Sequence, residues 1–217
     1  MTSGNTPTPT RTTAGSELEE LLAAPLGLRE RKKLKTRRAI RSAAFGLFRT
    51  QGYEATTVDQ IAAAAEVSPS TFFRYFPTKE DLVISDDYDP LMESGLRARP
   101  VGEPLVTSVR EAMIGPLRQI LAAERDEVLL RMQLYRDVPA IRARALVEMQ
   151  RNSAVMCELM AERTGLPATG LELRALVAAV MAVSSETVQF WAEHGGEADL
   201  ADLLADAFGA VARSFAQ

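Results

Sequence analysis

The 217-residue chain has one cysteine, one histidine and one tryptophan, and only 6% of it is aromatic. A lone Cys157 excludes an intramolecular disulfide, which fits the reducing cytoplasm and sets the expected location there. A lone His194, with no HxxxH or Cys/His cluster around it, points away from a metal centre, and no cofactor is expected. There is no nucleophile–base pair and no Gly-rich phosphate loop, so the chain reads as a non-enzyme. No uninterrupted apolar run reaches the roughly 18 residues of a membrane span, and no basic start leads into an apolar leader, so no membrane partner is expected. Alternating apolar/polar runs and Asn-Gly or Asp-Gly hairpin turns are missing, which disfavours strands.

Charge is present and unevenly spread. The net charge is only -4. Yet Arg29 to Lys79 holds eleven Lys/Arg against four Asp/Glu, and the remainder holds 14 against 25. A basic segment on an acidic body suggests that one end meets a polyanion, with a solvated helix face as the plainer explanation. Residues 1–15 are rich in Thr, Pro and Gly and read as a disordered tail. "SELEELLAAP" can form a short helix capped by Ser16, which completes a terminal segment 1–27. From Leu28 the chain reads as helix. In "RKKLKTRRAIRSAAFGLFRTQG", Ile40, Ala43, Ala44, Leu47 and Phe48 form one stripe, with Arg37, Arg38 and Arg41 largely off it and Gly52 as the stop. "TTVDQIAAAAE" opens with Thr57 and Gln60 at capping-box spacing, and Val58, Ile61, Ala62 and Ala65 form its apolar face. Beyond Val101 the breakers predict helices at about 104–122, 124–136, 139–164, 170–194 and 199–215. The fourth is apolar on more than one face, as expected of a helix covered by its own domain and by a partner.

The stretch "VSPSTFFRYFPTKEDL", residues 67–82, carries the sharpest signal. Ser68 can cap a helix that starts at Pro69. Phe72 and Phe76 share its inner face, to pack on Phe48 and Ile61. Pro77 stops it, and Thr78 can cap the next helix with Lys79 at its start. A helix, a tight turn and a short second helix, preceded by a longer basic helix, is a helix-turn-helix that sets its second helix in the major groove. The chemistry agrees. Ser and Thr at a helix start bond phosphates or base edges, an aromatic ring meets a thymine methyl, and Arg74 can read guanine. The Tyr75 hydroxyl and the Lys79 ammonium suit phosphates. The basic arm Arg29 to Arg38, with Arg37 as its candidate contact, can follow the backbone or enter the minor groove.

"AAFGLFRTQGYEATTVDQIAAAAEVSPSTFFRYFPTKEDL" resembles the DNA-binding domain of the TetR family of bacterial transcriptional regulators over roughly residues 33–82. The Gly-Tyr-x-x-Thr-Thr link, the Ile-Ala pair, the Val-Ser turn and the Phe-x-x-Lys-x-x-Leu exit occur in order at the family spacing. The resemblance implies an all-α homodimer. It implies a three-helix DNA-binding domain at 28–82 and a helical effector-binding and dimerisation domain at 83–217. It implies DNA contacts at Thr57, Ser68, Ser70, Thr71, Phe73, Tyr75 and Lys79. Glu66 stands where the family often has Gly, and a left-handed backbone there would cost about 1 kcal/mol. The start "LGLRERKKLKTRRAI" and the late "TGLP...WAEHGG...LLADAF" layout resemble an actinobacterial-type branch that includes acyl-CoA-responsive and mycofactocin-associated regulators.

The resulting expectation is a ligand-relieved repressor that binds a pseudo-palindromic double-stranded operator as a dimer, with an acyl-CoA or other apolar small molecule as effector. A small-molecule binding protein with a vestigial helix-turn-helix is the alternative. Met113, Leu117, Met132, Met156, Met160 and Phe190 are the candidate pocket lining, with ordinary core packing the plainer role for most of the methionines. Phe190 and Trp191 can cover a ligand or fill a dimer seam, with the seam favoured because the helix is so apolar, and Cys157 is expected to be buried. "SDDYDP" is better read as a solvated helix end than as a calcium loop. Arg142, Arg144 and Arg151 are expected to pair on the surface with Glu148.

Overall fold

A computed structural model of the protein describes residues 11–24, 26–85 and 87–215. Among these there are ten helices and no strand. They are α1 (Arg11–Ala23), α2 (Leu28–Gln51), α3 (Val58–Ala64), α4 (Pro69–Tyr75), α5 (Asp81–Ile84), α6 (Asp89–Arg97), α7 (Leu105–Asp137), α8 (Pro139–Thr164), α9 (Leu171–Glu193) and α10 (Leu200–Phe215).

Local signals set most of these boundaries. α2 ends at Gly52, whose φ of 84° suits a residue without a Cβ. Thr57 and Gln60 form the reciprocal capping box that starts α3. α8 closes on a left-handed Gly165. The helices expected at 104–122 and 124–136 are one element, α7, broken at Glu124 by a non-helical φ/ψ of -131°/25°. α5 starts at Asp81 rather than Lys79. Thr78 Oγ1 and the Thr78 N–H both donate to Asp81 Oδ2, each at 2.9 Å, and hold the turn before it. α1 starts at Arg11, so residues 11–15 are helical and Ser16 lies inside the helix rather than capping it. Residues 1–10 of the expected tail lie outside the described residues.

Three apolar clusters organise the chain. The first joins α2 to α5 through Ile40, Ala44, Phe45, Phe48, Ile61, Phe72, Phe76 and Leu82, and it also takes in Ile141 of α8. Phe45 is fully buried where the sequence pattern favoured Ala43. Arg41, expected off the stripe, is buried as well, because its guanidinium finds an acid partner inside. The second cluster packs α6 to α10 around Met160, Val177, Trp191, Leu200 and Phe208. The third is small: Leu18 and Leu22 of α1 meet Tyr88, Ile120 and Leu34. Burying two leucines stabilises the docked α1 by about 1.5–3 kcal/mol each.

α9 has the length and composition of a membrane span, with a mean hydropathy of 1.3. One of its faces, Leu173, Val177, Val180 and Trp191, belongs to the second cluster. The opposite face exposes Ala175, Ala178, Ala182 and Ser185. Trp191, expected at an outer seam, is buried in its own subunit and donates through Nε1 to the Ala198 carbonyl at 2.8 Å. Gly196 makes this packing possible. A Cβ there would lie 2.9 Å from Trp191 Cζ2 and 3.2 Å from Leu129 Cδ1, on a backbone at φ 67°. Gly196→Ala therefore combines a left-handed penalty with overpacking, together roughly 2–4 kcal/mol. Thermal unfolding should show the midpoint lowered by roughly 5–15 °C.

Candidate nucleic-acid interface

The link into α3 is built by the Gly-Tyr-x-x-Thr-Thr residues, each with a physical task. Gly52 turns the chain, and Tyr53 is buried against Phe48 with ring centroids 5.1 Å apart. Thr56 is buried and donates through Oγ1 to the Gly52 carbonyl at 2.7 Å. Thr57 caps α3 and is exposed. The turn from α3 to α4 passes through Glu66, a non-glycine residue at φ 55°. Ser68 then caps α4, its Oγ accepting from the Thr71 N–H at 3.1 Å. Ser70 Oγ and Thr71 Oγ1 lie 2.9 and 3.0 Å from the same oxygen.

α4 has only seven residues, and its two faces differ sharply. Phe72 and Phe76 are fully buried. Ser68, Ser70, Phe73 and Arg74 are exposed, Phe73 at 51%. Arg74 lies over the half-buried Tyr75 ring at 5.3 Å from its centroid. The structure thus brings Thr57, Ser68, Ser70, Thr71, Phe73, Arg74 and Tyr75 together on and beside one short helix. An exposed aromatic, an arginine and three hydroxyls on a capped helix supply the groups that read base edges and thymine methyls.

Two expected contacts are engaged inward. Lys79 donates through Nζ to the carbonyls of Tyr53 at 2.9 Å and Thr56 at 3.1 Å, and lies 4.0 Å from the Tyr53 ring centroid. It staples the α2–α3 link, since two of its three protons have protein acceptors. Arg37 turns away from the arm. Its Nε donates to Asp87 Oδ1 at 2.7 Å, Nη2 to Ser85 Oγ at 2.8 Å and Nη1 to the Tyr75 carbonyl at 3.3 Å. Arg41 completes the set from Nη1 to Asp87 Oδ2 at 2.6 Å. "SDDYDP" is therefore no open cation loop, for Asp87 serves two arginines. Among the described residues no group of three His, Cys, Asp or Glu side chains could hold a metal. The rest of the basic arm forms the first turns of α2, where Arg31 donates to the Leu26 carbonyl at 2.8 Å.

Helices α2 and α5 and the start of α6 are tied to α7 and α8 by ionic and polar groups. Arg38 and the Tyr88 hydroxyl both donate to the Glu124 carboxylate at the α7 kink. Burial is the largest single influence on the Arg38 pKa and lowers it, but the Glu124 charge, with Tyr88, the hydrogen bond to Glu124 and the Asp87 charge added, raises it on balance. Burial, then the Glu124 charge, pushes the Tyr88 phenol well above its usual range, so it remains a donor. Arg131 donates to the Val83 carbonyl at 3.0 Å. Arg144, expected to pair with Glu148, instead reaches Asp81 at 2.9 Å. Glu127 nearby has its carboxyl raised, first by burial and then by the Glu124 charge.

The candidate pocket lining is closed. Met160 is fully buried, and Met113, Leu117, Met132 and Met156 are packed on the second cluster. Phe190 is not among them. It is 45% exposed and stacks on His194, with ring centroids 4.0 Å apart. The hollow beside Met132, Gln189 and Ala192 holds only about 10 Å³. A larger cleft of about 280 Å³ lies elsewhere, between Leu22, Leu26, Leu34, Arg37, Asp87 and Pro90.

This geometry defines a helix-turn-helix protein with a helical C-terminal domain. Residues 40–85 match the family of bacterial regulatory proteins named for tetR, and residues 103–216, more than half of the chain, match the MftR C-terminal domain. The chain belongs to the TetR family. It is similar to the HTH-type transcriptional regulator TcmR of Streptomyces glaucescens, at 36% identity over 152 residues, 64% of this chain and 65% of that protein. It is also similar to RutR of Escherichia coli K12, at 27% over 157 residues, 70% of this chain and 61% of that protein. The chain thus spans less than two thirds of the length of these curated relatives. Among solved structures, Thermus thermophilus FadR, a TetR family transcriptional repressor in complex with lauroyl-CoA, is 28% identical, with a TM-score of 0.54 over 79% of this chain and 90% of that one. Bacillus subtilis FadR in complex with stearoyl-CoA, 20% identical with a TM-score of 0.56 over 79% of this chain and 95% of that one, shares the fold.

Two substitutions test this reading of the site. Glu66→Gly relieves the left-handed strain and should stabilise the protein by up to about 1 kcal/mol in denaturant unfolding. Glu127→Gln should stabilise it too, in a pH-dependent way. A carboxyl raised in the folded state contributes nothing below its unfolded pKa, and costs stability as pH rises from there through the folded value. The variant's advantage should therefore grow with pH across that window, and equal stability of the two proteins at pH 7 would contradict the assigned burial.

Proposed function

We propose that the protein is a DNA-binding transcriptional repressor that acts as a homodimer on a pseudo-palindromic operator and is released by an apolar small-molecule effector. The observation that carries the reading is α4, whose buried Phe72 and C-cap Phe76 leave Ser70, Phe73 and Arg74 facing outward. Each recognition helix would enter a major groove, with half-sites about 34–36 Å apart. Thr57, Ser68, Thr71 and Tyr75 would hold the phosphates beside it. The dimer would form through the exposed small-residue face of α9, Ala175, Ala178, Ala182 and Ser185, where short side chains allow close helix approach. The intact caps of α3 and α4 speak against a vestigial helix-turn-helix.

Acyl-CoA is the effector class supported by the lauroyl-CoA complex of the FadR relative. The acyl chain would part Met113, Leu117, Met132 and Met156, flexible side chains that repack around varied apolar shapes. Such an effector opposes DNA binding only by preferring the conformation whose recognition helices are misplaced.

The test is selection of binding sequences from random duplex DNA by the purified protein at fixed salt, followed by titration of a medium- and long-chain acyl-CoA series. A selected palindrome released by one chain length is the expected result. A palindrome that no acyl-CoA releases would discard that ligand class, and failure to select any sequence would discard the repressor. Phe73→Ala should weaken the selected site about 10- to 100-fold, the scale of one base contact, without altering the salt dependence.

A further inference from the structure

Asp87 lies in the span between the two matched family segments, 40–85 and 103–216, and touches no exposed recognition group. It is nonetheless a node of the DNA-binding unit. Both carboxylate oxygens accept from α2, Oδ1 from Arg37 at 2.7 Å and Oδ2 from Arg41 at 2.6 Å. The pair is well covered, with the Asp87 side chain 6% exposed and Arg41 4%. Arg37 lies over the Phe76 ring at 4.6 Å from its centroid, and its Nη1 donates to the carbonyl of Tyr75, the last residue of α4. One guanidinium thus grips the end of the recognition helix on one side and Asp87 on the other. Tyr88 and Asp89, which follow Asp87, cap and begin α6. Tyr88 is bonded in turn to Glu124 at the α7 kink.

We propose that Asp87 is a positioning residue for operator binding: through Arg37 it fixes the C-terminal end of α4, and it transmits displacement of α6 and α7 to that helix. This rests on the repressor reading above. The chemistry requires a carboxylate. Only an ionised, two-oxygen acceptor can hold both arginines, and a planar guanidinium is what lets Arg37 bond Asp87 and the Tyr75 carbonyl at once. A seven-residue helix has too few internal hydrogen bonds to hold its own orientation, so its outer contacts decide it. When α6 moves, Asp87 moves with it, and Arg37 either follows or releases Tyr75. Both results turn Phe73 and Arg74 away from the groove.

Asp87→Asn and Arg37→Lys test this, the second keeping the charge while losing the fork. Two readouts are taken on the full-length protein. The first is affinity for the operator selected by the unaltered protein, measured across a salt series beside an unrelated duplex. The second is hydrogen exchange at the Phe76 amide, which bonds the Phe72 carbonyl at 2.9 Å. Both variants should bind the operator about 10- to 100-fold more weakly, with unrelated DNA and the salt slope unchanged. The Phe76 amide should exchange faster while the α9 amides do not. If Asp87→Asn does not fold, Arg37→Lys carries the comparison alone. Wild-type operator affinity with unchanged Phe76 exchange would overturn the proposal. So would equal losses on operator and unrelated DNA with a shallower salt slope, which would make Arg37 a phosphate contact. Should the unaltered protein select no sequence, the repressor reading fails, and Phe76 exchange still decides whether Asp87 holds α4.

Discussion

The burial of Phe72 and Phe76 is the interaction on which the rest of the molecule depends. An isolated helix of seven residues is unstable in water, because nucleation outweighs the few hydrogen bonds it gains. α4 exists only because one of its faces is anchored in the cluster of Ile40, Phe45, Phe48 and Ile61. Each buried Phe is worth about 3–5 kcal/mol against truncation to Ala, which is of the order of a domain's whole stability margin. That anchoring frees the other face from any structural duty. Ser70, Phe73 and Arg74 can remain exposed because the fold does not need them. The division between the two faces is the physical content of a recognition helix, and it is complete within seven residues.

Charge does a second kind of work in the same region. Of the six arginines of α2, those at 37, 38 and 41 bond carboxylates on the inner side, Asp87 and Glu124. Removing one partner of such a covered pair typically costs 3–5 kcal/mol, because the other charge is left desolvated. These pairs therefore specify register more than they add stability. They fix which turn of α2 faces the start of α6 and which faces the α7 kink. The basic segment that looked like a polyanion surface is thus partly an internal fastening, and the cations left outward on α2 are Lys32, Lys33, Lys35 and their neighbours.

What could be read from the sequence follows from how local the cause is. The Thr57–Gln60 capping box, the Ser68–Pro69 start, the Gly52 and Gly165 stops and the spans of α8 to α10 are decided within a few residues, and they appear in the structure where the residues place them. The left-handed Glu66 was visible as a missing glycine. The partners of Arg37, Arg38, Arg41, Lys79 and Arg144 were not visible, because each lies at least 23 residues away in the chain. Periodicity assigned the arginines of α2 outward for the same reason: it scores a charge as solvent-facing without knowing that an Asp waits inside. Trp191 was misplaced because helix α9 is apolar on both sides, and periodicity cannot tell the inner stripe from the outer. The early start of α1 was missed because its cohesion comes from Leu18 and Leu22 docking on Ile120 and Tyr88, not from its polar first turn.

The placement of these long-range bonds bears on how an effector could act. The two ends of the protein share few elements, and α7 is the longest of them, with a proline at 116 and a break at Glu124. A straight α7 would transmit little; a broken one can change angle at the break while each half stays helical. Glu124 sits at that break and holds both Arg38 of α2 and Tyr88 at the start of α6. A change in the α7 angle therefore cannot occur without moving or breaking those bonds. On the reading proposed above, an effector would have to part α7, α8 and α9, whose methionines pack on the second cluster. Coupling of about 1–3 kcal/mol is what such systems show, and rearranging one charge-assisted hydrogen bond is of that size. Exchange of one bond at the Glu124 break would therefore be comparable to the whole coupling, and it would act beside the Asp87–Arg37 link to α4.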